Sequence, residues 1–206
     1  MSKTIKHEKP SSVDDDLKYV MACQNGDTEA FSVLVERYSR KMLNVAYRML
    51  SDYDEACDIT QEAFLAAFRS IKAFKAEAKF STWLCRIVIN CAKNRLKQRQ
   101  SLSRYGSASL ERVAAEQGDC ACCLAASNEN DPALQLERKE LEVEVQKCIS
   151  MLDGDYREVM VLRDIQGFSY EEIREVLQIP DGTVKSRLSR ARLAVKDCLK
   201  KVMGAL

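Results

Sequence analysis

Apolar residues recur at three- and four-residue spacing along most of the chain, which is the period of an α-helix. One such stripe, from about Thr28 to Leu50, consists of Phe31, Leu34, Tyr38, Met42, Val45 and Met49. The polar segment 51–54 interrupts it; a second helix is predicted from there to about Ala73, and a third from Ser81 to about Gln98. No run of alternating apolar and polar residues predicts a strand. The pattern therefore predicts an all-α fold.

Residues 99–133 interrupt the helical pattern. They are rich in Ser, Ala, Gly, Asn and Asp, which is typical of a linker, and so long a stretch is unusual inside one compact domain. Helical spacing resumes near Pro132, with one face formed by Leu134, Leu141, Val145, Cys148 and Leu152. We predict two small helical domains, 15–98 and 134–206, joined by a flexible linker that spans roughly 110–120 Å when extended. Residues 1–14 are expected to be a disordered tail.

Composition supports long helices in a soluble protein. Only 7 Gly and 3 Pro occur among 206 residues, and 46% of the chain is hydrophobic. The longest apolar runs, such as 159–162, are far too short to span a bilayer. No apolar stretch follows the lysines near the N-terminus, so we expect a cytoplasmic protein without membrane insertion.

Basic residues cluster in two segments although the net charge is only +1. Residues 79–99 contain six Lys and Arg and no acidic residue, and residues 183–201 contain seven against Asp197 alone. Two separate basic segments suggest two contacts with a polyanion. A solvated helix face would have the same composition, so charge alone leaves both interpretations open.

The second domain has the sequence features of a helix-turn-helix. Ser169 and Glu172 have the spacing of a capping box, and the turn 179–182 leads into a second helix from about Thr183. An apolar stripe on that helix (Val184, Leu188, Ala191, Val195) lies opposite Lys185, Ser186, Ser189 and Arg190. Short hydroxyls permit close approach to a major groove, and cations reach phosphates or guanine edges. The alternative is an ordinary helical hairpin with a charged outer face.

The helix from Ser81 has a polar face of a different composition. Its members at helical spacing are Trp83, Arg86, Asn90, Asn94 and Lys97. Aromatic rings stack on unpaired bases and basic groups hold the backbone, while amides can hydrogen-bond base edges, so this face suits single-stranded nucleic acid. The alternative is that Trp83 simply belongs to the core.

The preceding helix has a mixed-charge stripe with one leucine in it. The stripe consists of Asp58, Gln61, Glu62, Leu65, Arg69 and Lys72. An exposed leucine among such residues is a candidate protein-docking point, and a solvated helix face is the alternative.

The nine cysteines do not predict a disulfide framework, because nothing else indicates secretion. Six occur singly in helical patterns and are expected to be small buried hydrophobes: Cys23, Cys57, Cys85, Cys91, Cys148 and Cys198. Cys120, Cys122 and Cys123 lie together in the linker, either by accident or as a thiol or metal switch. Zinc would need further ligands from elsewhere. We predict no metal, no cofactor and no catalytic residue.

Two ordered groups of motifs resemble the extracytoplasmic-function sigma factors of the sigma-70 family, and the envelope-stress members most closely. The first group is Asp58-Ile59-Thr60-Gln61-Glu62-Ala63-Phe64 and Phe80-Ser81-Thr82-Trp83-Leu84-Cys85-Arg86-Ile87, with Asn90 and Asn94. The second is Tyr170-Glu171-Glu172-Ile173 and Gly182-Thr183-Val184-Lys185-Ser186-Arg187-Leu188. The resemblance covers about residues 20–98 and 135–200.

The resemblance implies a promoter-specificity subunit of RNA polymerase that is not an enzyme. It implies docking on core polymerase (the β′ clamp helices and the β subunit) through Asp58, Gln61, Glu62 and Leu65. It implies capture of the melted −10 element by Phe74, Phe80, Trp83, Arg86, Asn90, Asn94 and Lys97. It implies recognition of the duplex −35 element by Thr183, Lys185, Ser186, Arg187, Ser189 and Arg190. Members of the group are commonly held by an anti-sigma factor. The alternatives are a stand-alone helix-turn-helix regulator and, less consistent with the basic helices, a thiol or metal enzyme.

Overall fold

The computed structural model of the chain describes residues 12–105 and 132–204, which form α-helices joined by short turns. The first unit comprises α1 (Ser12–Gln24), α2 (Glu29–Leu50), α3 (Tyr53–Ser70) and α4 (Phe80–Tyr105). The second comprises α5 (Pro132–Ser150), α6 (Gly154–Met160), α7 (Tyr170–Leu177) and α8 (Asp181–Met203). A short 3₁₀ turn follows α3, and a π-helical segment, Val161–Ile165, continues α6. Within the two described ranges there is no strand, and the predicted all-α fold class is confirmed.

Two predicted boundaries are wrong. Helix α1 begins at Ser12, inside the predicted tail, and α4 continues to Tyr105 rather than ending near Gln98. Arg99 lies in this last part of α4, and its guanidinium binds Glu55 at 2.9 Å and Asp52 at 3.2 Å. These long-range ion pairs have no signature in local sequence. Residues 1–11 and 106–131, which contain most of the predicted tail and linker and the cysteines at 120, 122 and 123, lie outside the described residues.

The polar segment 51–54 ends one helix and begins the next, as its composition predicts. Ser51 adopts the left-handed conformation (φ 56°), which ends α2. Asp52 is the N-cap of α3, and its carboxylate accepts a hydrogen bond from the Glu55 amide at 3.0 Å. The apolar stripe predicted for α2 is buried throughout. Local capping and burial together fix the α2–α3 hairpin.

The two units pack against each other and share one hydrophobic cluster, which contains residues of α2 and α4 as well as α6 and α7. Lys41 lies over the ring of Phe168, 4.5 Å from its centroid. Arg157 donates a hydrogen bond to the Met49 carbonyl at 2.6 Å, and Arg48 donates to Gln146 at 2.8 Å. The sequence predicts units free to act apart; helical periodicity shows which face is buried, but it cannot show against which partner.

A second, smaller cluster holds α5, α6 and α8 together. Its buried members are Cys148, Leu152, Ala191 and Val195. Cys148 and Cys198 form a disulfide, so the expectation that both are isolated buried hydrophobes is wrong. They are 50 residues apart in sequence, and only the fold brings them together.

Candidate protein and nucleic-acid interfaces

The predicted docking face lies on the outer side of α3. Asp58, Gln61, Glu62 and Leu65 are all exposed there, and Leu65 has 55% of its surface accessible. The opposite side of α3 is buried through Ala56, Ile59, Ala63, Phe64 and Ala67. Two carboxylates beside an exposed leucine give a surface suited to a partner with both basic and apolar groups.

Phe68 also lies on this face, although no sequence motif singles it out. It follows Leu65 by three residues, and 38% of its surface is exposed. Its ring packs against Phe31 with 5.0 Å between centroids, which holds it in place at the surface. Because residues three apart lie on the same side of a helix, the spacing from Leu65 was a usable signal.

The polar face of α4 is accessible at its C-terminal end and half-buried at its start. Asn90, Asn94 and Lys97 are exposed, whereas Trp83 and Arg86 are half-buried. Amides and a cation therefore lie on one accessible side of the helix, within hydrogen-bonding reach of a strand placed along it.

Phe74 and Phe80 do not offer their rings to a ligand in this structure. Both are buried, and with Trp83 they form an aromatic cluster with centroid separations of 5.0 to 6.0 Å. The Gln24 amide fixes the chain nearby by donating to the carbonyls of Ile71 and Phe74 at 2.9 and 2.8 Å. The two phenylalanines are better described as the support for the loop between them than as nucleic-acid contacts. Trp83 satisfies both interpretations, since it packs on this cluster and stays partly exposed.

The loop between Phe74 and Phe80 borders a cleft of about 250 Å³. Glu77, Lys79 and Ser81 line one side of the cleft, and Asp16 and Tyr38 line the other. The Tyr38 hydroxyl hydrogen-bonds to the buried Asp16 carboxylate, and burial, followed by this contact, raises the pKa of Tyr38. Asp16 lies on α1, which no motif in the sequence connects to this site.

The predicted recognition face lies on the N-terminal half of α8. Lys185, Ser186, Ser189 and Arg190 are exposed, opposite the buried stripe of Val184, Leu188, Ala191 and Val195. The capping box of α7 is present, with Ser169 accepting from the Glu172 amide and Glu172 accepting from the Ser169 amide. Helix α7 ends at a left-handed Gln178, and the short turn that follows leads into α8. The predicted helix-turn-helix is confirmed.

Several recognition-face residues have partners within the chain. Arg187 is half-buried and binds Asp155 at the start of α6 at 2.5 Å, so it is turned away from the exposed side. Lys185 binds Asp181 at 2.7 Å, and this hydrogen bond raises the pKa of the lysine. A groove of about 540 Å³ between α6 and α8 is lined by Thr183, Ser186, Arg187 and Arg190 together with Asp155. A DNA phosphate at this face would compete with Asp155 for Arg187.

Metal binding and membrane insertion find no support in the part of the chain that is described. Residues 12–105 and 132–204 contain no group of three His, Cys, Asp or Glu side chains that could hold a metal ion. None of the described helices is both long and apolar enough to cross a membrane.

Comparison with known proteins places both units in one family. Residues 34–102 match the family model of sigma-70 region 2, and residues 142–195 match that of sigma-70 region 4. The exposed faces of α3, α4 and α8 all lie within these ranges. Two matched regions in one chain do not favour a stand-alone helix-turn-helix regulator.

Relatives are similar over almost their whole length. The chain is 37% identical to the RNA polymerase sigma-H factor of Pseudomonas aeruginosa, over 92% of this chain and 96% of that protein. It is 36% identical to the ECF RNA polymerase sigma-E factor of Escherichia coli K12, over 84% and 88%. Among solved structures, CnrH in complex with the cytosolic domain of CnrY has the same fold (TM-score 0.64, 24% identity, 91% and 99% coverage). The chain therefore belongs to the extracytoplasmic-function group of sigma-70 family sigma factors, the promoter-specificity subunits of bacterial RNA polymerase.

Proposed function

We propose that this sigma factor docks on core RNA polymerase through α3 and contacts promoter DNA through α4 and α8. The observation that supports this most directly is the chemistry of the three exposed faces. The face of α3 combines two carboxylates with a leucine and a phenylalanine, the face of α4 combines amides with a cation, and the face of α8 combines hydroxyls with cations on a helix-turn-helix. These properties suit, in turn, a protein, an unpaired strand and a duplex.

The proposed polymerase contact comprises Asp58, Gln61, Glu62, Leu65 and Phe68, with the β′ clamp helices as the expected partner. Leu65 is the expected anchor, because burying an exposed leucine releases water and a carboxylate in its place would be desolvated. We expect Leu65→Asp to weaken binding of the full chain to core polymerase by about tenfold or more. Titration of core enzyme with fluorescent sigma factor measures this. Leu102→Asp, which alters another exposed leucine in the same unit, is the control; equal affinity of the Leu65 variant and the natural chain would rule the contact out.

The proposed −10 contact comprises the cleft beside residues 75–79 and the exposed face of α4. One unpaired base would enter the cleft, and Asn90, Asn94 and Lys97 would hold the strand outside it; a base removed from its stack needs such a pocket. Trp83 and Arg86 lie at the start of the same face. Because Asn90 and Asn94 are exposed, replacing both leaves the core intact.

We expect Asn90→Ala with Asn94→Ala to lower the yield of open promoter complex several-fold while core binding stays unchanged. Permanganate footprinting of melted thymines measures opening, with Ser32→Ala, at an exposed position inside α2, as control. Normal opening by the double variant would remove α4 from the proposed site.

The proposed −35 contact comprises Thr183, Lys185, Ser186, Ser189 and Arg190 in the major groove. Arg187 would reach a phosphate only after leaving Asp155.

We further propose that the chain catalyses no reaction itself and acts in the cytoplasm, where core polymerase and the chromosome are. We also propose that an anti-sigma factor binds this chain. The sigma factor RpoE of Bartonella quintana, which has the same fold (TM-score 0.57, 23% identity), was solved in complex with the anti-sigma factor NepR.

A further inference from the structure

A cysteine pair joins the recognition helix to the first helix of the second unit. Cys148 on α5 and Cys198 on α8 form a disulfide with their Cα atoms 5.8 Å apart. Neither residue belongs to the proposed contacts with polymerase or promoter. We infer that Cys148 and Cys198 are a reversible dithiol–disulfide site, oxidised by a low-molecular-weight disulfide of the glutathione class, that sets the stability of the helix-turn-helix. The effect on DNA rests on the proposed −35 function; the disulfide itself does not.

The pairing is selective among the cysteines that the structure describes. Cys23, Cys57, Cys85 and Cys91 are free thiols, and all four lie in the first unit. Burial raises the pKa of the Cys85 thiol to about 12, which keeps it protonated and unreactive. A cross-link inside a reducing compartment is commonly transient or redox-sensing rather than purely structural.

The two sulfurs differ in solvent access, and this difference determines which cysteine reacts first. Cys148 is almost wholly buried, whereas Cys198 is half-buried at the edge of the smaller cluster. Along the same part of α8 runs an open groove lined by Val195, Leu199, Lys196 and Lys200. Arg192 also lines this groove but is paired with Asp164, and the two lysines favour approach of a reagent that bears carboxylates.

Oxidation proceeds by two exchange steps. The Cys198 thiolate attacks one sulfur of oxidised glutathione, forming a mixed disulfide and releasing one glutathione thiolate. Cys148 then loses its proton to solvent and attacks the Cys198 sulfur, which breaks the mixed disulfide and releases the second glutathione thiolate. The cysteine pair loses two electrons, and the reagent's S–S bond gains them. A dithiol reductant reverses both steps.

The position of the cross-link determines its effect. The loop closed between residues 148 and 198 contains α6, α7 and the recognition half of α8, which is the whole helix-turn-helix. Closing this loop restricts the unfolded chain and therefore stabilises the folded unit. Among the described residues, the smaller cluster beside it has four buried members with Tyr156, Met160 and Leu199 packed against them, so its apolar contact is small compared with that of the main cluster.

The test compares reduced and oxidised forms of the full chain, in a background with Cys120, Cys122 and Cys123 changed to Ser. After incubation with dithiothreitol or oxidised glutathione, denaturing alkylation and peptide mass spectrometry locate the free thiols. We expect Cys148 and Cys198 to be linked only in the oxidised sample. The thermal midpoint of the oxidised form should be higher by about 5–10 °C, and dithiothreitol should reverse the shift. Cys198→Ala should abolish the shift, and Cys57→Ser, which removes another partly exposed thiol, should retain it.

Alkylation of both cysteines in the oxidised sample, or a cross-link that leaves the thermal midpoint unchanged, would overturn the inference. The comparison of the two redox forms of one chain does not depend on the folding of any Cys198 variant. Binding to a duplex enriched from a randomised library, measured near the reduced midpoint, should persist only in the oxidised form; equal loss in both forms would overturn the link to DNA. Failure of both forms to bind any duplex at room temperature would instead refute the −35 proposal and leave the cross-link standing.

Discussion

Glu158 is a carboxylate with only 2% of its surface exposed, at the junction of the two units. Burial raises the pKa of its carboxyl group, and the hydrogen bond from Lys93 opposes that shift. The Lys93 ammonium lies 2.9 Å from the carboxylate, but it is itself partly exposed to solvent. Burial outweighs the ion pair, so the folded chain holds a proton on Glu158 more tightly than the unfolded chain does.

The stability of the chain should therefore depend on pH through this residue. Because the folded-state pKa is raised, the stabilisation is complete below the carboxyl group's ordinary pKa of about 4.3 and is lost as pH rises through the raised value. Glu158→Gln cannot titrate and should lack this contribution. In urea unfolding, the free energy of unfolding of the natural chain relative to that of the variant should fall as the pH rises above about 4.3. Glu175→Gln, on an exposed side of α7, makes the same charge change; parallel pH profiles for the natural chain and Glu158→Gln would contradict the assignment.

At the residue scale, the exposure of a side chain was more predictable than the residues that it contacts. The positions of Leu65, Asn90 and Ser186 on outer faces follow from helical spacing, because each lies opposite a buried stripe. The half-buried position of Arg187 does not follow from helical spacing, because its partner Asp155 is 32 residues away in sequence. The burial of Phe80 likewise depends on a distant residue, Tyr38, whose ring centroid lies 5.7 Å from that of Phe80.

At the scale of elements, α7 depends strongly on its cap. It has only eight residues, so few of its amides are satisfied within the helix. The Ser169 hydroxyl accepts from the Glu172 amide at 3.2 Å, and the Glu172 carboxylate accepts from the Ser169 amide at 2.8 Å. Both residues are local to the turn, which is why the sequence predicts this helix start correctly.

Removing the capping hydroxyl should loosen the helix-turn-helix. Ser169→Ala deletes one of the two reciprocal bonds and should cost about 1 kcal/mol of unfolding free energy. Hydrogen exchange of the α7 amides should be faster, and urea denaturation reports the energy. Ser32→Ala, at an exposed position inside α2, lacks a capping role and serves as control; unchanged exchange in α7 would show that the hydroxyl is dispensable.

Helix ends were predictable where a cap or a turn residue determines them and not elsewhere. Asp52 and Ser169 are capping residues, and the observed starts of α3 and α7 follow them directly. The end of α4 lies beyond the predicted one, and Arg99 in the added part is held by Asp52 and Glu55 at the start of α3. Such contacts extend a helix past the point where its own pattern weakens.

At the scale of the whole molecule, the second unit contacts the rim of the proposed base cleft. Lys79 lines the cleft, and its ammonium binds the Glu172 carboxylate of α7 at 2.8 Å. The same carboxylate completes the capping box. A DNA phosphate near the cleft would compete with Glu172 for Lys79.

We therefore expect Glu172→Gln to strengthen binding of the free chain to a mixed-sequence single-stranded DNA. Glutamine retains the capping hydrogen bond but loses the charge, so the helix start survives while Lys79 is released. Because exposed ion pairs are worth about 0.2–1 kcal/mol, the gain should not exceed about fivefold. Fluorescence anisotropy measures it at low salt.

The matched control is Glu171→Gln, which changes the adjacent exposed carboxylate on the same helix. Added salt should reduce the difference between the Glu172 variant and the natural chain, since it screens the pair. If the two glutamine variants bind the strand equally well, the contact between Glu172 and Lys79 does not compete with DNA.

The arrangement of the two units was the least predictable property. Composition predicts two helical domains separated by a linker, but it contains no information on their packing. The polar contacts that join them connect residues 65 to 122 positions apart, such as Lys93 with Glu158 and Asn44 with Gln166. Each is a single polar pair that leaves no periodic signal.

The contact made by Arg157 has an unusual consequence for how the joint tolerates mutation. Its guanidinium donates to four backbone carbonyls at the end of α2 and at or just after the end of α5: those of Met49, Ile149, Ser150 and Leu152. Every amino acid has such a carbonyl. The contact between the two units is therefore made by a side chain from one unit and, at Met49, by main chain from the other. Substitutions at the four acceptor positions leave the carbonyls in place and act only through the packing of the replaced side chains, whereas one change of the arginine removes all the bonds together.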